Sequence, residues 1–156
     1  MPTPSKPAAV LFDLDGTLVD TASEFVAVLQ TMRHARKLVD LSEDSIRSVV
    51  SNGAAGMIEL AFNCTQGMPE FEALRDEFLN NYEDQLGSSA QPYEGLRQLL
   101  ADLSHSAIPW GVVTNKMRRF AEPLMAAMVF DPPAGALVTP CEVTEPKPHP
   151  EAILRC

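Results

Sequence analysis

The stretch Ala8–Asp20, which reads AAVLFDLDGTLVD, constrains the fold of this chain more than any other. Its apolar part, Ala8–Phe12, leads directly into two carboxylates, Asp13 and Asp15, and then into an Asp-Gly turn signal. A short apolar run that ends at such a signal is typical of a buried strand. Residues i and i+2 of a strand point to the same side, so an extended backbone would bring both acids to one point. This pattern predicts an α/β sheet with its chemistry at the carboxyl end of the strand; an acidic turn that only caps the strand is the alternative.

Residues from about 20 to 87 have helical periodicity and no strand pattern. Thr21 and Glu24 have the spacing of a capping box, which predicts that their side chains bond to each other's backbone amides at a helix start. The apolar stripe predicted for this helix consists of Phe25, Val28, Leu29, Met32 and Val39. Further helical segments continue until Gly87. We therefore predict an all-helical lobe inserted after the first strand.

Helix and strand patterns alternate in the rest of the chain. A helix over Gly95–Leu103 precedes an apolar strand at Ile108–Val113, and another helix leads to a weaker strand at Ala136–Thr139. A last helix begins at about Glu151. This alternation predicts the α/β class, with a Rossmann-like parallel sheet and right-handed crossovers. The predicted divisions are a core of residues 1–19 and 89–156 and a helical lobe of residues 20–88.

Composition and charge limit the classes of partner. The chain has 156 residues, of which 46% are hydrophobic and 21% charged, as in globular proteins, and its formal net charge is −9. This charge argues against a nucleic acid or an acidic membrane surface as partner, since both require a basic patch. The three cysteines have no C-x-x-C spacing, and neither a signal peptide nor an apolar run of about 20 residues is present. We expect a cytoplasmic protein with free thiols.

Two more polar residues follow predicted strands. Thr114 ends the second strand, and Lys147 lies just past the third. Because parallel strands end at the same edge of a sheet, we expect these residues to lie near Asp13 and Asp15. Each has an ordinary alternative, since Thr114 is also a typical helix cap and Lys147 a typical solvated turn lysine. Their joint placement on strand ends favours a shared site.

Such a set of groups suits phosphoryl transfer. Asp13 would attack phosphorus, and Asp15 would protonate the leaving alcohol and then activate water. Carboxylate and carbonyl oxygens would hold Mg²⁺, which would neutralise the phosphate charge. Thr114 and Lys147 would hold the phosphoryl oxygens.

Three segments carry a family resemblance. DLDGTLVD at Asp13–Asp20, VVTNK at Val112–Lys116 and EPKPHP at Glu145–Pro150 resemble the first three motifs of the haloacid dehalogenase-like superfamily. The helical insert resembles the C1-type cap of its phosphatase branch. FEALRDEFLNNYE at Phe71–Glu83 and WGVVTNKMRRFAEPLM at Trp110–Met125 resemble phosphoglycolate phosphatases, and among them the N-acetylmuramic acid 6-phosphate phosphatases.

The resemblance implies an Mg²⁺-dependent phosphatase that forms an aspartyl-phosphate. It implies Asp13 as nucleophile and Asp15 as general acid/base, with Asp13 and the backbone carbonyl of Asp15 as Mg²⁺ ligands. It also implies that Thr114, Asn115 and Lys147 bind phosphate. The implied substrate is a small phosphorylated metabolite, either 2-phosphoglycolate or N-acetylmuramic acid 6-phosphate.

Two further sets of residues have open interpretations. The family places a substrate-contacting loop at a helix break in the cap, where this chain has Ser51, Asn52 and Gly53; an ordinary turn is the alternative. A basic cluster beside the second motif would contact a substrate carboxylate or would consist of solvated charges at a helix start; its members are Lys116, Arg118 and Arg119.

The sequence departs from the family pattern after the third motif. The resemblance implies a fourth, acidic motif of the form G-D-x-x-x-D, which completes the Mg²⁺ ligands and is absent from these 156 residues. We therefore expect a shortened phosphatase in which one metal ligand is missing. Since the family's first strand is central, we also expect an uncovered edge at Ala8–Phe12 and self-association through it. Two alternatives remain: a catalytically impaired remnant that only binds or self-associates, and a sugar phosphomutase of the same superfamily.

Overall fold

The computed structural model describes residues 6–156, apart from the side chain of Ser51. These residues belong to two compact units. The sheet unit contains the chain up to Val19 together with Pro92–Cys156, and the helical unit is Asp20–Gln91. The return to the sheet unit comes after Gln91, rather than after the expected residue 88.

The elements of the described residues are short strands and longer helices. The strands are β1 (Val10–Phe12), β2 (Val19–Asp20), β3 (Gln91–Pro92), β4 (Trp110–Val113) and β5 (Leu137–Val138). The helices are α1 (Ala22–Ala35), α2 (Glu43–Arg47), α3 (Gly53–Phe62), α4 (Phe71–Gln85), α5 (Leu96–His105), α6 (Arg118–Met128) and α7 (Glu151–Arg155). Single 3₁₀ turns lie at Val50–Asn52 and Pro140–Glu142.

The sheet unit is built on a three-stranded sheet in the order β1-β4-β5. Both pairs of strands are parallel, with Val10 opposite Trp110 and Val112 opposite Leu137. The predicted α/β class with a parallel sheet is therefore confirmed. All three strands end at one edge of the sheet, as a parallel arrangement requires.

The first strand differs from its prediction. It is confined to Val10–Phe12 rather than Ala8–Phe12, and it is half-exposed rather than buried, with Leu11 at 36% exposure. The cause is its position at the edge of the sheet, where β4 is its partner. The uncovered edge expected at this strand is thus present among the described residues.

The last helix packs on the central strand. Val113, Val138 and Ala152 form a buried cluster, against which Cys156 packs. Gly111 permits this approach, because a Cβ atom at this position would lie 2.8 Å from the Cys156 sulfur. Burial raises the pKa of the Cys156 thiol. The packing holds the end of β4, from which the candidate site projects.

An aromatic cluster organises the helical unit. Phe25 on α1 lies between Phe78 and Tyr82 of α4, with ring centroids 6.0 Å and 4.6 Å away. Phe25, Val28, Leu29 and Met32 are buried, which confirms most of the predicted stripe. Val39 lies beyond the end of α1 and is 81% exposed, so its assignment to the stripe was wrong.

The capping box predicted for α1 was also wrong. Thr21 makes no side-chain cap bond at this helix start. The carboxylate of Glu24 is buried, and its Oε1 accepts hydrogen bonds from the amides of Ser89 (3.3 Å) and Ala90 (3.2 Å). Distant backbone donors have therefore replaced the local capping partner. At α2 a local cap is present, since the Ser42 hydroxyl accepts a hydrogen bond from the Ser45 amide at 3.2 Å.

Within the described part of the chain, every helix is too short or too polar to cross a bilayer.

Candidate functional site

The acidic loop after β1 is a tight turn that closes on itself. The carbonyl of Leu14 accepts hydrogen bonds from the amides of Leu18 (3.1 Å) and Val19 (3.0 Å). Gly16 has φ of +76°, a left-handed conformation that favours glycine. Oδ1 of Asp13 accepts a hydrogen bond of 2.8 Å from the Leu14 amide, which fixes the carboxylate at the strand end.

The loop after β5 brings an ammonium group to this carboxylate. The Nζ of Lys147 lies 2.7 Å from Oδ1 of Asp13 and donates a hydrogen bond of 2.9 Å to the Val113 carbonyl at the end of β4. The side chains of Lys147 and Asp13 are 24% and 43% exposed. A cation and a carboxylate that remain accessible at a strand end can receive an anionic group.

Asn115 connects two of these loops. Its Nδ2 donates to the Lys147 carbonyl at 2.9 Å, and its Oδ1 accepts from the Lys147 amide at 3.1 Å. The amide group is therefore engaged with the backbone that carries Lys147. Phosphate binding by Asn115 itself stays a prediction.

Thr114 is buried at the end of β4, with 3% exposure. Its amide donates to the Val138 carbonyl at 3.0 Å, and its hydroxyl accepts from the Lys116 amide at 3.0 Å. The hydroxyl thus shapes the loop that follows β4. The structure brings Asp13, Asp15, Thr114, Asn115 and Lys147 into the loops of one sheet edge.

Lys116 makes a contact that the sequence reasoning missed. Its side chain is 5% exposed, and its Nζ lies 2.9 Å from Oδ1 of Asp15. The structure therefore does not leave Lys116 as a solvated charge at a helix start. One signal was available: Lys116 follows Thr114 by two residues, and residues at this spacing face the same side of an extended segment.

Arg118 and Glu142 connect the segments that follow β4 and β5. Oε2 of Glu142 accepts from both the amide and the hydroxyl of Thr139 at 2.7 Å, and Arg118 Nε donates to Oε1 at 2.6 Å. Burial acts to raise the pKa of Glu142, but the bonds from Thr139 and Arg118 outweigh it and lower the pKa. Arg118 also pairs with Glu122, so acidic partners within the chain already engage its guanidinium.

The predicted substrate loop lies in the helical unit. Asn52 ends a 3₁₀ turn, and Gly53 begins α3 with φ of +65°. Both residues are exposed. A role of Ser51, Asn52 or Gly53 in substrate contact stays a prediction.

The acidic groups of the site are few. Among residues 6–156, no group of three or more His, Cys, Asp or Glu is arranged so that it could hold a metal ion. Asp13 and the carbonyl of Asp15 are oxygen donors, the ligand type that Mg²⁺ prefers. The donors therefore fit Mg²⁺ in kind but form only part of a coordination shell.

The chain is similar in sequence to several proteins named as phosphatases. The chain is 46% identical over 146 residues to an N-acetylmuramic acid 6-phosphate phosphatase of Pseudomonas aeruginosa, a match that covers 94% of this chain and 65% of that protein. It is 36% identical over 148 residues to a phosphoglycolate phosphatase of Xanthomonas campestris pv. campestris, covering 95% of this chain and 66% of that protein. The chain thus spans about two thirds of the length of these relatives.

Solved structures share the fold. A crystal structure from Haemophilus somnus, described as a predicted phosphoglycolate phosphatase, superimposes with a TM-score of 0.80 at 23% identity. The match covers 95% of this chain and 69% of that one. The family model for haloacid dehalogenase-like hydrolases matches residues 10–156. The chain therefore belongs to the haloacid dehalogenase-like hydrolases.

Proposed function

We propose that this protein is an Mg²⁺-dependent phosphomonoesterase that works through an aspartyl-phosphate in the cytoplasm. The observation that carries the proposal is the pairing of Asp13 with Lys147, at 2.7 Å, beside the pairing of Asp15 with Lys116, at 2.9 Å. In this proposal Asp13 is the nucleophile, Asp15 the proton-transfer group and Lys147 the cation for the phosphoryl oxygens, which is supported by the closeness of these side chains at one sheet edge. The phosphatase names of the relatives support the same reaction class.

The first proposed step transfers the phosphoryl group to the chain. An oxygen of the Asp13 carboxylate attacks phosphorus, and the bond from phosphorus to the alcohol oxygen breaks with its electron pair on that oxygen. The protonated carboxyl of Asp15 donates its proton there, which releases the alcohol. Lys147 and Thr114 bind the phosphoryl oxygens and stabilise their charge.

The second proposed step hydrolyses the aspartyl-phosphate and restores the Asp13 carboxylate. The carboxylate of Asp15 takes a proton from water, whose oxygen attacks phosphorus. The bond between phosphorus and Asp13 then breaks, releasing inorganic phosphate and the Asp13 carboxylate. Asp15 is left protonated for the next cycle, so the proton count balances.

Asp13 and the main-chain carbonyl of Asp15 would hold the Mg²⁺. When bound, the ion would offset the negative charge of the phosphoryl group. Mg²⁺ sites commonly use one or two carboxylates and complete the shell with water and substrate phosphate. Asp13 and the Asp15 carbonyl therefore account for part of such a shell.

We propose a small phosphorylated metabolite as the substrate, either 2-phosphoglycolate or N-acetylmuramic acid 6-phosphate. The names of the relatives support these two compounds. The exposed Asn52 and Gly53 of the helical unit, with Ser51, are the proposed substrate-contacting residues of the cap.

A second candidate is a catalytically impaired binding fragment. Two observations favour it: the small number of metal donors among the described residues and the open edge at β1. Unpaired backbone groups on such an edge favour pairing with a second chain. Concentration-dependent association by light scattering, without phosphate release, would identify this case.

The deciding experiment measures phosphate release from 2-phosphoglycolate, N-acetylmuramic acid 6-phosphate and p-nitrophenyl phosphate, with and without Mg²⁺. We expect Mg²⁺-dependent release, and its loss in Asp13→Asn, because an amide is not a competent nucleophile. Full activity of Asp13→Asn would refute the proposal. Interconversion of sugar phosphates without phosphate release would instead identify a phosphomutase.

A further inference from the structure

Lys116 is a charged group for which the proposed reaction has no stated use. Its side chain is 5% exposed, and its ammonium lies 2.9 Å from Oδ1 of Asp15. Removing an ammonium from water has a large free-energy cost, so lysines are seldom buried unless they are paired. The burial of Lys116 at this point therefore requires a reason. Its partner is the group to which the proposed function assigns proton transfer.

The backbone of Lys116 is held independently of this contact. Its amide donates to the hydroxyl of Thr114 at 3.0 Å, and the amide of Thr114 donates to the Val138 carbonyl in β5 at 3.0 Å. Thr114 itself is buried. The ammonium group is therefore presented to Asp15 from a loop tied to the centre of the sheet.

The neighbouring residue is fixed in the same way. Asn115 makes two hydrogen bonds to the backbone of Lys147, at 2.9 Å and 3.1 Å. The loop after β4 thus supports both lysines: Lys147 through its backbone, and Lys116 as a member of the loop. Each lysine then contacts a different aspartate.

We infer that Lys116 is a positioning residue for Asp15, an inference that rests on the proposed phosphatase function. The ammonium restrains the rotation of the Asp15 carboxyl group and keeps it directed toward the oxygen that leaves phosphorus. General acid catalysis depends on this placement, since the proton must be within hydrogen-bond reach of its acceptor. A purely structural ion pair is the competing explanation.

The two explanations predict different dependence on the leaving group. An alkyl phosphate releases a basic alkoxide, which needs a proton from Asp15 as the bond breaks. By contrast, 2,4-dinitrophenyl phosphate releases a much more acidic phenol, which leaves without protonation. Misplacing Asp15 should therefore slow the alkyl ester selectively, whereas a general loss of structure should slow both esters equally.

The experiment compares kcat/KM of Lys116→Met for 2,4-dinitrophenyl phosphate with kcat/KM for 2-phosphoglycolate or N-acetylmuramic acid 6-phosphate, whichever the full unmutated chain hydrolyses faster. The parameter kcat/KM covers the steps through phosphoryl transfer, so slow breakdown of the phosphoenzyme does not hide the effect. We expect a loss of about 10- to 100-fold for the alkyl ester, because general acid–base catalysis contributes roughly 10²–10⁴. The loss for the dinitrophenyl ester should stay within about threefold, because its release needs no proton.

Matched variants complete the test. Lys116→Arg keeps the charge and should recover much of the lost rate, and Asp15→Asn should show the same selective loss. Lys37→Met removes an exposed lysine of the helical unit and should leave both rates unchanged. Lys116→Gln serves as a second neutral variant if Lys116→Met does not fold.

Two results would overturn the inference while leaving the proposed function intact. One is an equal loss for both esters in Lys116→Met, and the other is a Lys116→Arg variant as impaired as Lys116→Met. If the unmutated chain hydrolyses neither ester, the proposed function fails, and the inference fails with it.

Discussion

The two units of this chain use ion pairs in different ways. In the sheet unit, Lys116 and Lys147 pair with aspartates at strand ends, and the Lys116 side chain is 5% exposed. In the helical unit, Arg36 pairs with Glu77 and Arg47 with Asp20, and all four side chains are 32–37% exposed. Both lysines of the sheet unit contact the loop after β1, whereas the pairs of the helical unit join Arg36 at the end of α1 to α4, and Arg47 of α2 to Asp20 of β2.

The exposure of an ion pair affects how much it contributes to the stability of the fold. An exposed ion pair contributes about 0–1 kcal/mol, because water and salt screen it. A buried pair has a desolvation cost that can exceed its attraction, so stability alone seldom explains why it is present. A cluster of charged groups at strand ends that includes a side chain as buried as Lys116, beside the accessible Asp13 at 43% exposure, is typical of functional sites. We therefore expect substitutions at the strand ends to affect activity, and substitutions in the exposed ion pairs of the helical unit to affect neither activity nor stability strongly.

The largest expected effect is that of Lys147→Met. This change removes the ammonium that lies 2.7 Å from Asp13, and with it a group proposed to stabilise charge in the transition state. We expect kcat to fall roughly 10²- to 10³-fold, as for the loss of one such donor. Steady-state kinetics with p-nitrophenyl phosphate would measure it, with Lys37→Met as the exposed control. A loss below about twofold would remove Lys147 from the site.

Asn115→Ala should have a smaller effect on the same reaction. The variant loses both hydrogen bonds to the Lys147 backbone but keeps the ammonium itself. We expect kcat/KM to fall about tenfold, since small displacements of a positioned group are costly. Asn80→Ala, at an exposed position of α4, is the matched control. If Asn115→Ala were as damaging as Lys147→Met, Asn115 would have a direct role in phosphate binding.

Glu142→Gln tests how much the hydrogen bonds of Glu142 with Thr139 and Arg118 contribute to the free energy of unfolding. The pKa of Glu142 is lowered in the folded state, so its ionised carboxylate, bonded to Thr139 and Arg118, stabilises the fold above the ordinary carboxyl pKa of 4.5. This stabilisation is lost as the pH falls and the carboxylate is protonated. At pH 7 we expect the variant to lose about 1–2 kcal/mol, because hydrogen bonds to a charged group are lost. Urea unfolding at pH 7 and below pH 4.5 would measure it. The difference between variant and unmutated chain should shrink at the lower pH, and a constant difference would contradict the ionic explanation.

Glu77→Gln is the same substitution in the helical unit and should have the smallest effect. Its hydrogen bond with Arg36 lowers the pKa of Glu77, but the side chain is 37% exposed. We expect a loss of about 0.5 kcal/mol or less at pH 7 and low salt, decreasing further as salt is added. Urea unfolding under the conditions used for Glu142→Gln allows direct comparison. A loss equal to that of Glu142→Gln would remove the distinction between the two units.

The parts of the site that were predictable are those that follow from parallel topology. Asp13, Thr114 and Lys147 each follow a predicted strand, and parallel strands end together, so the sequence alone was sufficient to place them at one edge. The pairing of Lys116 with Asp15 was not predicted. It depends on the reach and direction of a flexible side chain, which strand and helix patterns do not specify.

The capping box, in contrast, was predicted from local spacing and is absent from the start of α1. Thr21 and Glu24 have the correct local spacing, yet the Glu24 carboxylate accepts from the amides of Ser89 and Ala90, which lie 65 and 66 residues further along the chain. A buried carboxylate bonds to the donors that folding brings to it. Local spacing identified the helix start but not the partner of its acid.

The sequence by itself determined the family, the alternation of the strands β1, β4 and β5 with helices, and the position of Asp13 at the end of the first strand, whereas it did not reveal the two-residue strands β2 and β3. These properties are encoded locally, in the periodicity of apolar residues and in short motifs at strand ends. Only the tertiary structure decided which lysine each aspartate pairs with. Lys116 and Asp15 are 101 positions apart in the chain, and their contact at 2.9 Å exists because β1 and β4 are adjacent in the sheet.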